Sequence, residues 1–231
     1  SINSLYINAE KIGDYAFHAC QKLKMITIGN NVKSIGRFAF QHCALSHATK
    51  FYGDMKEWFK IKRGDNALPC GELTIDNELI VSYAPEQLSV IEVPARAFYG
   101  CSSLKSVNLP FSVKKIGESA FCDCDNLIEA TAKGATKIGD YAFAYCDNLS
   151  KANMFLCCAT RGSDSEAIHI GASAFSGCTK LGEIVLPDNI AYIGSYAFDN
   201  TLWFNNLSDG PVYLGSILYT YKGEMPENTT I

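Results

Sequence analysis

The sequence lacks the features that would place the protein across a membrane or on nucleic acid. Its apolar runs, such as residues 154–159, fall far short of the roughly 20 residues that a membrane-spanning helix needs. It has no basic surplus, because 20 Lys and Arg stand against 24 Asp and Glu and give a net charge of −4. Binding to a phosphate backbone normally needs a basic face. We therefore expect no membrane span and no nucleic-acid partner.

Motifs of common enzymes and of metal sites are also missing. The sequence contains no Gly-rich phosphate loop, no Gly-x-Ser-x-Gly and no His-Glu-x-x-His. None of the 10 cysteines belongs to a Cys-x-x-Cys pair, so the ligand spacing of a zinc site is absent. We expect no catalytic residue, no metal site and no cofactor. The first residues show no basic stretch leading into an apolar one, so any secretion signal is expected outside the given residues.

An internal repeat organises the 231 residues, of which 48% are hydrophobic and 19% are charged, a composition that supports a folded core. The unit reads Ile-Gly-x-x-Ala-Phe-x-x-Cys-x-x-Leu, and its phenylalanines follow one another at spacings of 23, 58, 23, 22, 32 and 23 residues. This phenylalanine column consists of Phe17, Phe40, Phe98, Phe121, Phe143, Phe175 and Phe198. The unit is therefore 22 or 23 residues long. The two long gaps are expected to hold insertions that form loops on one face.

Each unit divides into a strand, a turn and a compact segment. After the Leu, apolar residues alternate, as in Leu104-x-x-Val107-x-Leu109, which predicts a short strand. A short apolar pair then precedes Gly, whose freedom at positive φ suits a tight turn. In the Ala-Phe-x-x-Cys-x-x-Leu segment the apolar residues recur at three and four positions, which predicts one or two helical turns.

Such a unit cannot bury its apolar side alone, so neighbouring units must stack, with parallel strands about 4.8 Å apart. We therefore predict an α/β repeat solenoid with short strands, turns and short helical segments, whose phenylalanines form a ladder in the core. Residues 1–231 are expected to form one domain, with an insertion at about 46–90, a smaller insertion at about 154–168 and a hairpin at about 211–222. Neither end resembles a polar cap, so we expect a piece of a longer array.

The unit resembles the BspA-type leucine-rich repeat, a family common among surface proteins of host-associated bacteria and protists. The resemblance covers nearly the whole chain, including the insertion segments at 51–54 and 73–79 and the tail at 209–219. Two positions depart from it: Pro94 replaces the usual Gly in the third unit, and Thr201 takes the Cys position in the seventh. The resemblance implies a right-handed leucine-rich-repeat solenoid, secreted or attached to the cell surface, that binds other macromolecules. It carries over no catalytic residue.

Three functions remain open at this point. The first, which the resemblance favours, is an extracellular protein-binding or adhesion module whose partner is a protein or glycan on another cell or matrix. The second is a structural spacer that presents another domain. The third is a polysaccharide-acting enzyme on a coiled β scaffold, which would need a cleft of convergent carboxylates.

Strand residues that alternate with the core positions are expected to face outward and line an extended surface, as solenoids use for binding. This surface is polar and mixed in charge, and it lacks the aromatic cluster of a strong hot spot. The candidate partner-binding residues are Tyr6, Thr27, Asn108, Glu129, Thr131, Lys151, Asn153 and Glu183 on this surface, together with Trp58 in the long insertion. Trp58 either plugs the insertion against the solenoid or forms a partner-binding knob.

Six cysteines share one column of the repeat, and we predict that they are buried thiols, because parallel side chains do not point at one another. They are Cys20, Cys43, Cys101, Cys124, Cys146 and Cys178. The sequence leaves open whether Cys70, Cys122, Cys157 or Cys158 forms a disulfide.

Two polar groups allow a chemical and a plainer interpretation. His42, Cys43 and His47 could form a metal site or a Cys–His nucleophile pair, but ordinary surface histidines are preferred. Asp125 and Asp147 occupy adjacent units, so stacking would pair their carboxylates as acid–base chemistry or calcium binding requires. The plainer interpretation, a polar turn where Asp bonds its own backbone, is preferred here too.

Overall fold

The computed structural model describes residues 3–43, 48–68, 71–84, 91–154, 167–186 and 189–225. Within these ranges the chain winds as successive coils that cross two sets of mainly parallel sheets. The strands that follow the Leu of each unit form two major sheets. The first contains β1 (Ser4–Ile7), β3 (Met25–Ile28), β5 (Ala48–Phe51), β7 (Leu73–Ile75) and β8 (Glu78–Leu79), and the second contains β9 (Ser82–Tyr83), β11 (Ser106–Leu109), β13 (Glu129–Ala132), β15 (Lys151–Met154) and β17 (Glu183–Val185).

The strands that precede the Gly of each unit form two minor sheets. The first contains β2 (Lys11–Ile12), β4 (Ser34–Ile35) and β6 (Lys62–Arg63), and the second contains β10 (Glu92–Val93), β12 (Lys115–Ile116), β14 (Lys137–Ile138), β16 (Ile168–Ile170) and β18 (Ile190–Ile193). Strands of neighbouring coils pair in parallel, so Val107 faces Ala130, and Ala130 faces Ala152. The predicted parallel-strand solenoid is therefore confirmed.

The core lies between the major and minor sheets, and the phenylalanine column runs along it. The rings of Phe121 and Phe143 stack at 5.0 Å between centroids, with 12° between their planes. The same parallel stacking joins Phe17 to Phe40 and links Phe98 through to Phe198. All of these rings are buried except that of Phe17, which is half-buried in the first coil.

The segment between the Gly and the Cys of each unit is a run of tight turns, so the prediction of helical turns there is wrong. Two residues per unit adopt left-handed backbone angles, as Tyr141 (φ 56°) and Tyr145 (φ 59°) do. Backbone N–H groups alternate between partners: that of Phe143 bonds Ala174 in the next coil at 2.8 Å, and that of Ala144 bonds Tyr141 within the turn at 3.1 Å. The apolar spacing resembles that of a helix because the same side chains must point into the core.

The Gly of each unit serves close packing, not positive φ, which corrects the sequence interpretation. None of Gly36, Gly117 and Gly139 has a left-handed φ. A β-carbon on Gly117 would lie 2.4 Å from the backbone nitrogen of Ala95 in the preceding coil. Each of these glycines also donates its N–H to that coil, as Gly139 does to the carbonyl of Ile116 at 2.8 Å.

The long insertion contains a coil of the solenoid, so its expected form as a loop on one face is wrong. Strand β5 pairs with β3, strand β7 pairs with β5, and β6 pairs with β4 in the minor sheet. Residues 64–68 read Gly-Asp-Asn-Ala-Leu, in which buried Leu68 takes the place of the column phenylalanine. Phe38 donates its N–H to the carbonyl of Asp65 at 2.7 Å, as equivalent residues do between other coils. The smaller insertion falls largely on residues 155–166, outside the described residues.

Pro94 coincides with a break between the two minor sheets, because β6 and β10 are not paired. Proline has no N–H to donate to the preceding coil, and its ring occupies the position where other units need glycine. Other contacts hold the stack together across this break. Arg96 pairs with Asp65 and with Glu118, both at 2.6 Å, and Gly71 donates its N–H to Gly100 at 2.9 Å.

The last ring of the ladder is covered by α2 (Leu202–Asn205) and by the hairpin of β19 (Gly210–Leu214) and β20 (Ile217–Lys222). Trp203 and Tyr219 pack edge-on against Phe198, at 5.2 and 5.8 Å between centroids. The Tyr219 hydroxyl accepts a hydrogen bond from the N–H of Phe198 at 3.1 Å. The phenylalanine ladder therefore ends at Phe198 beneath a helix and a hairpin.

Thr201 explains why a helix follows the seventh unit. Its hydroxyl donates to the carbonyl of Phe198 at 2.7 Å and accepts from the N–H of Phe204 at 3.1 Å, which caps the N-terminus of α2. The other helix, α1 (Met55–Lys60), begins at a capping box formed by Asp54 and Glu57. Along the described ranges, neither helix has the length and apolar character to cross a membrane.

Candidate binding surfaces

The outward side of strands β1, β3, β5, β11, β13, β15 and β17, here called the major face, carries the residues predicted to contact a partner. Alternate residues point into the core, as Ala130 and Ala152 do, and those between them are exposed or half-buried. Strand register arranges the exposed residues in rows. One row places Glu129 beside Lys151 and Lys151 beside Glu183, and a second row contains Asn108, Thr131, Asn153 and Val185.

Charges alternate along the first of these rows. Lys151 and Glu183 form an ion pair at 3.2 Å, with 54% and 58% of their side chains exposed. Glu129 makes no ion pair within the described part of the chain. At the first coils, Tyr6 is 57% exposed and its ring contacts Tyr52 at 6.1 Å, beside half-buried Thr27. Each inner strand of the major face is hydrogen-bonded to a strand on either side. The exposed side chains therefore project from a fixed backbone.

Trp58 is fully buried, so the prediction that it contacts a partner is wrong. Its indole N–H donates to the carbonyl of Ala97 at 2.8 Å, and the guanidinium of Arg63 lies 4.1 Å from the ring centroid. The ring of Phe51 packs against the indole ring, with 5.3 Å between their centroids. Trp58 joins the coil of the long insertion to the Phe98 coil, which is the plugging role that the sequence interpretation preferred to a partner-binding knob.

The outward side of strands β10, β12, β14, β16 and β18, here called the minor face, holds a groove of about 460 Å³. Strand register places Lys115, Lys137, His169 and Tyr192 in one row across it, with Glu92 at the end. Glu92 and Lys115 form an ion pair at 2.6 Å. The rings of His169 and Tyr192 lie 6.2 Å apart. This row was not predicted from the sequence. Its members stand two residues before the Gly of each unit, or before Pro94 in the third unit.

The glycines of the repeat form the floor of this groove. Gly117, Gly139 and Gly171 line it and have no side chains to fill it. On its far side, Asp140 accepts a hydrogen bond from the N–H of Ala172 at 2.8 Å. The close packing that demands glycine therefore also creates the concave surface.

The cysteine column is exposed to solvent at its first member, Cys20, and buried at its last, Cys178. Seven of the ten cysteines are described, and all seven are thiols; Cys70, Cys157 and Cys158 lie outside the described residues. Cys146 donates to the carbonyl of Phe121 at 3.0 Å, and Cys178 donates to that of Phe143 at 3.0 Å. Burial raises the pKa of the Cys146 thiol, and the neighbouring Cys146 thiol together with burial raises that of Cys178. Cys20 is exposed and Cys43 is half-buried, so the prediction of burial is wrong at Cys20 and holds only in part at Cys43.

His18, His42, Asp125 and Asp147 all lie on the turns of their coils. The imidazoles of His18 and His42 contact each other at 5.4 Å on the exposed side of the turns, and His47 lies outside the described residues. Partial burial and the charge of Asp147 raise the pKa of Asp125. Across the described ranges, no three His, Cys, Asp or Glu side chains converge so that they could hold a metal ion.

The polar turns after Cys124 and Cys146 are held by asparagine rather than by aspartate. Asn126 donates to the carbonyl of Ser102 at 2.8 Å, and Asn148 donates to that of Asp125 at 2.6 Å. Each bond reaches the preceding coil, whereas the sequence analysis expected aspartates bonding their own backbone.

Comparison with known proteins identifies the repeat. The family model described as "BspA type Leucine rich repeat region" matches the chain in six copies, over residues 1–57, 84–165 and 162–209. It leaves 58–83 unmatched, where Leu68 replaces the column phenylalanine. No curated protein sequence matches the chain significantly.

Three solved structures illustrate the similarity. A leucine-rich repeat protein of T. pallidum is 20% identical, over 87% of this chain and 77% of that chain, with a TM-score of 0.43. One from Eubacterium ventriosum is 18% identical over 99% and 86%, with a TM-score of 0.47. A leucine rich cell surface protein from Faecalibacterium prausnitzii is 22% identical over 87% and 68%, with a TM-score of 0.42.

Proposed function

Because the chain belongs to the BspA-type leucine-rich repeat family, we propose that it is an extracellular module that binds another protein and mediates adhesion through its major face. The family suggests a protein-interaction module, typically a non-enzymatic binding scaffold. Secretion or surface attachment, adhesion and the position of the binding surface are parts of the proposal.

The arrangement of the major face is the observation that carries this proposal. Glu129, Lys151 and Glu183 lie on adjacent, paired strands. Neighbouring strands are about 4.8 Å apart, so the three charges follow one another at that interval. Because the backbone beneath them is fixed by strand pairing, a partner would meet a pre-organised row of alternating charge, at little cost in backbone entropy.

The ion pair on this row does not prevent binding. Exposed pairs such as Lys151–Glu183 contribute about 0–1 kcal/mol to stability, because water screens both charges. A partner of complementary charge can therefore replace the internal pair. Complementary charges at an interface raise the association rate and make binding sensitive to salt.

The experiment reverses the two acidic charges of the row in the double variant Glu129→Lys, Glu183→Lys. Binding of the parent and the variant to a panel of purified extracellular matrix proteins is measured by surface plasmon resonance at several salt concentrations. We expect the parent to bind at least one protein and the variant to bind it at least tenfold more weakly. The parent's affinity should fall as salt rises, and the variant's affinity should change less.

A matched control carries the same change in charge away from the major face: Glu10→Lys with Glu224→Lys. Both residues are exposed and neither lies on β11, β13, β15 or β17. This control should bind as the parent does. A parent that binds no protein of the panel, or a double variant that binds as the parent does, would contradict the proposal and favour a spacer.

A further inference from the structure

The groove of the minor face is a concave surface, and none of the residues that line it belongs to the major face. We propose that this groove binds a neutral oligosaccharide. Its volume of about 460 Å³ falls within the range of about 300–1,000 Å³ that is usual for ligand sites. Charged side chains, hydrogen-bond donors and an aromatic ring line the groove.

The charges at the groove nearly cancel: with Arg96 shared between Glu118 and Asp65, the carboxylates exceed the cations by one. Glu92 is paired with Lys115 at 2.6 Å, and Glu118 is paired with Arg96 at 2.6 Å. Within the described ranges, Lys137 and Asp140 are left without an ion-pair partner, and their charges are opposite. A groove whose charges nearly cancel attracts ions of either sign only weakly, which favours a neutral ligand.

The polar side chains of the groove that form no ion pair suit a ligand rich in hydroxyls. Lys137 offers three donors, His169 offers a donor and an acceptor when neutral, and the Tyr192 hydroxyl offers both. Asp140 is oriented by the N–H of Ala172, which bonds one carboxylate oxygen at 2.8 Å. The other carboxylate oxygen can accept from a ligand hydroxyl. A sugar supplies donors and acceptors on each hydroxyl, so it can satisfy all four groups.

Tyr192 supplies an apolar surface beside these polar groups. Its side chain is 53% exposed, and its ring packs at 6.2 Å from His169 at the end of the row. One face of a pyranose is made of C–H groups, which pack against an aromatic ring while the hydroxyls point outward. Tyrosine can contribute apolar contact and a hydrogen bond to the same ligand.

The glycine floor makes room for the ligand along several coils. Gly117, Gly139 and Gly171 follow one another at the bottom of the groove. A chain of sugars lying along them would cross from one coil to the next at intervals of about 4.8 Å, which is the strand spacing. The proposed ligand is therefore an oligosaccharide that spans coils.

The test measures binding of the full chain to hexasaccharides by isothermal titration calorimetry. The neutral probes are cellohexaose, maltohexaose, chitohexaose and mannohexaose; a hyaluronan hexasaccharide and a polyglutamate peptide are the acidic probes. We expect at least one neutral hexasaccharide to bind. Tyr192→Ala should weaken that binding at least tenfold, and Lys137→Ala should weaken it by about threefold or more.

Tyr213→Ala is the matched control, because Tyr213 is also 53% exposed but lies on β19, outside the groove. It should bind as the parent does, and circular dichroism should show that all variants are folded. The proposal is overturned if no neutral hexasaccharide binds, if only the acidic probes bind, or if binding is unchanged in both Tyr192→Ala and Lys137→Ala. The double variant Glu129→Lys, Glu183→Lys should keep the sugar affinity, so this proposal and the proposed function fail separately.

Discussion

Gly139 packs so closely against Glu118 that a β-carbon on Gly139 would lie 2.6 Å from the Glu118 backbone nitrogen. Such a distance is shorter than any ordinary contact, and the atom in the way is backbone, which cannot turn aside. The equivalent distances at Gly36, Gly171 and Gly194 are 2.4, 2.5 and 2.3 Å. Stacking of coils thus depends on a missing side chain at one position per unit.

Gly139→Ala should therefore destabilise the protein, because the two coils must separate locally to admit the methyl group. Overpacking of this kind costs about 1–3 kcal/mol. Gly13→Ala is the control, since Gly13 has the same place in the first unit but nothing within 4 Å of the added β-carbon. Urea unfolding followed by circular dichroism compares the two. Equal losses of stability would show that close approach is not the reason for glycine.

Phe121→Ala should destabilise the fold by about 3–5 kcal/mol, because the ring is fully buried between Phe98 and Phe143 and leaves a cavity. Phe17→Ala tests the same column where the ring is half-buried and stacks on Phe40 alone. The loss of stability in Phe17→Ala should be roughly half as large, since this ring removes less apolar area from water on folding. Thermal unfolding measures both, and a Phe121→Ala variant that melts with the parent would contradict the ladder.

Alkylation of the folded protein should label the exposed thiols and leave the buried ones unmodified. With iodoacetamide at neutral pH, Cys20 should react within minutes, because it is exposed. Cys101, Cys146 and Cys178 should stay unmodified until the protein is unfolded, because they are buried. Burial also raises the pKa of Cys122 to about 12, which keeps that thiol unreactive. Peptide mapping by mass spectrometry reads each site, and rapid labelling of Cys146 would exclude a buried column.

Stability should fall as the pH rises above 9, because the buried thiols of Cys146 and Cys178 have raised pKa values. In the unfolded chain these thiols ionise near the ordinary thiol pKa of 9.0, whereas in the folded protein their pKa is raised and they keep their protons. The folded state then binds more protons, so stability is complete below pH 9 and declines above it. Each thiol should contribute a loss of about 1.4 kcal/mol per pH unit.

The variant Cys146→Ala isolates this effect. Its unfolding free energy should fall less steeply between pH 9 and 10 than that of the parent, by the share of one thiol. Urea titrations at each pH provide the comparison. Identical slopes in the two proteins would show that the Cys146 thiol ionises equally in both states.

The repeat was readable from the sequence because a stack of coils puts the same demand on each unit. All coils but the one around Leu68 place an aromatic ring in this column, as Phe121 and Phe143 do, and the strand that follows must alternate between core and solvent. These demands recur every 22 or 23 residues, so periodicity alone predicted the parallel sheets and the exposed positions of the major face, such as Glu129 and Lys151.

Other features depend on contacts that periodicity does not encode. Spacing cannot distinguish helical turns from the left-handed turns at Tyr141 and Tyr145, because both bring the same side chains inward. The coil around Leu68 was missed because its ring is absent and its spacing irregular, although the segment 64–68 keeps Gly and Ala in place. Trp58 has the large aromatic side chain that is common at interfaces but is buried, since its indole N–H bonds Ala97, which is 39 residues away in the chain.

The sequence by itself determined the unit, its stacking and the row of side chains on each strand, because each follows from local pattern and the need to bury apolar area. Tertiary structure alone decided why glycine recurs, where the minor sheets break at Pro94, how Phe198 is covered and where a groove opens. The reason is that these features are distances between coils, and a distance between residues far apart in the chain exists only once the chain has folded.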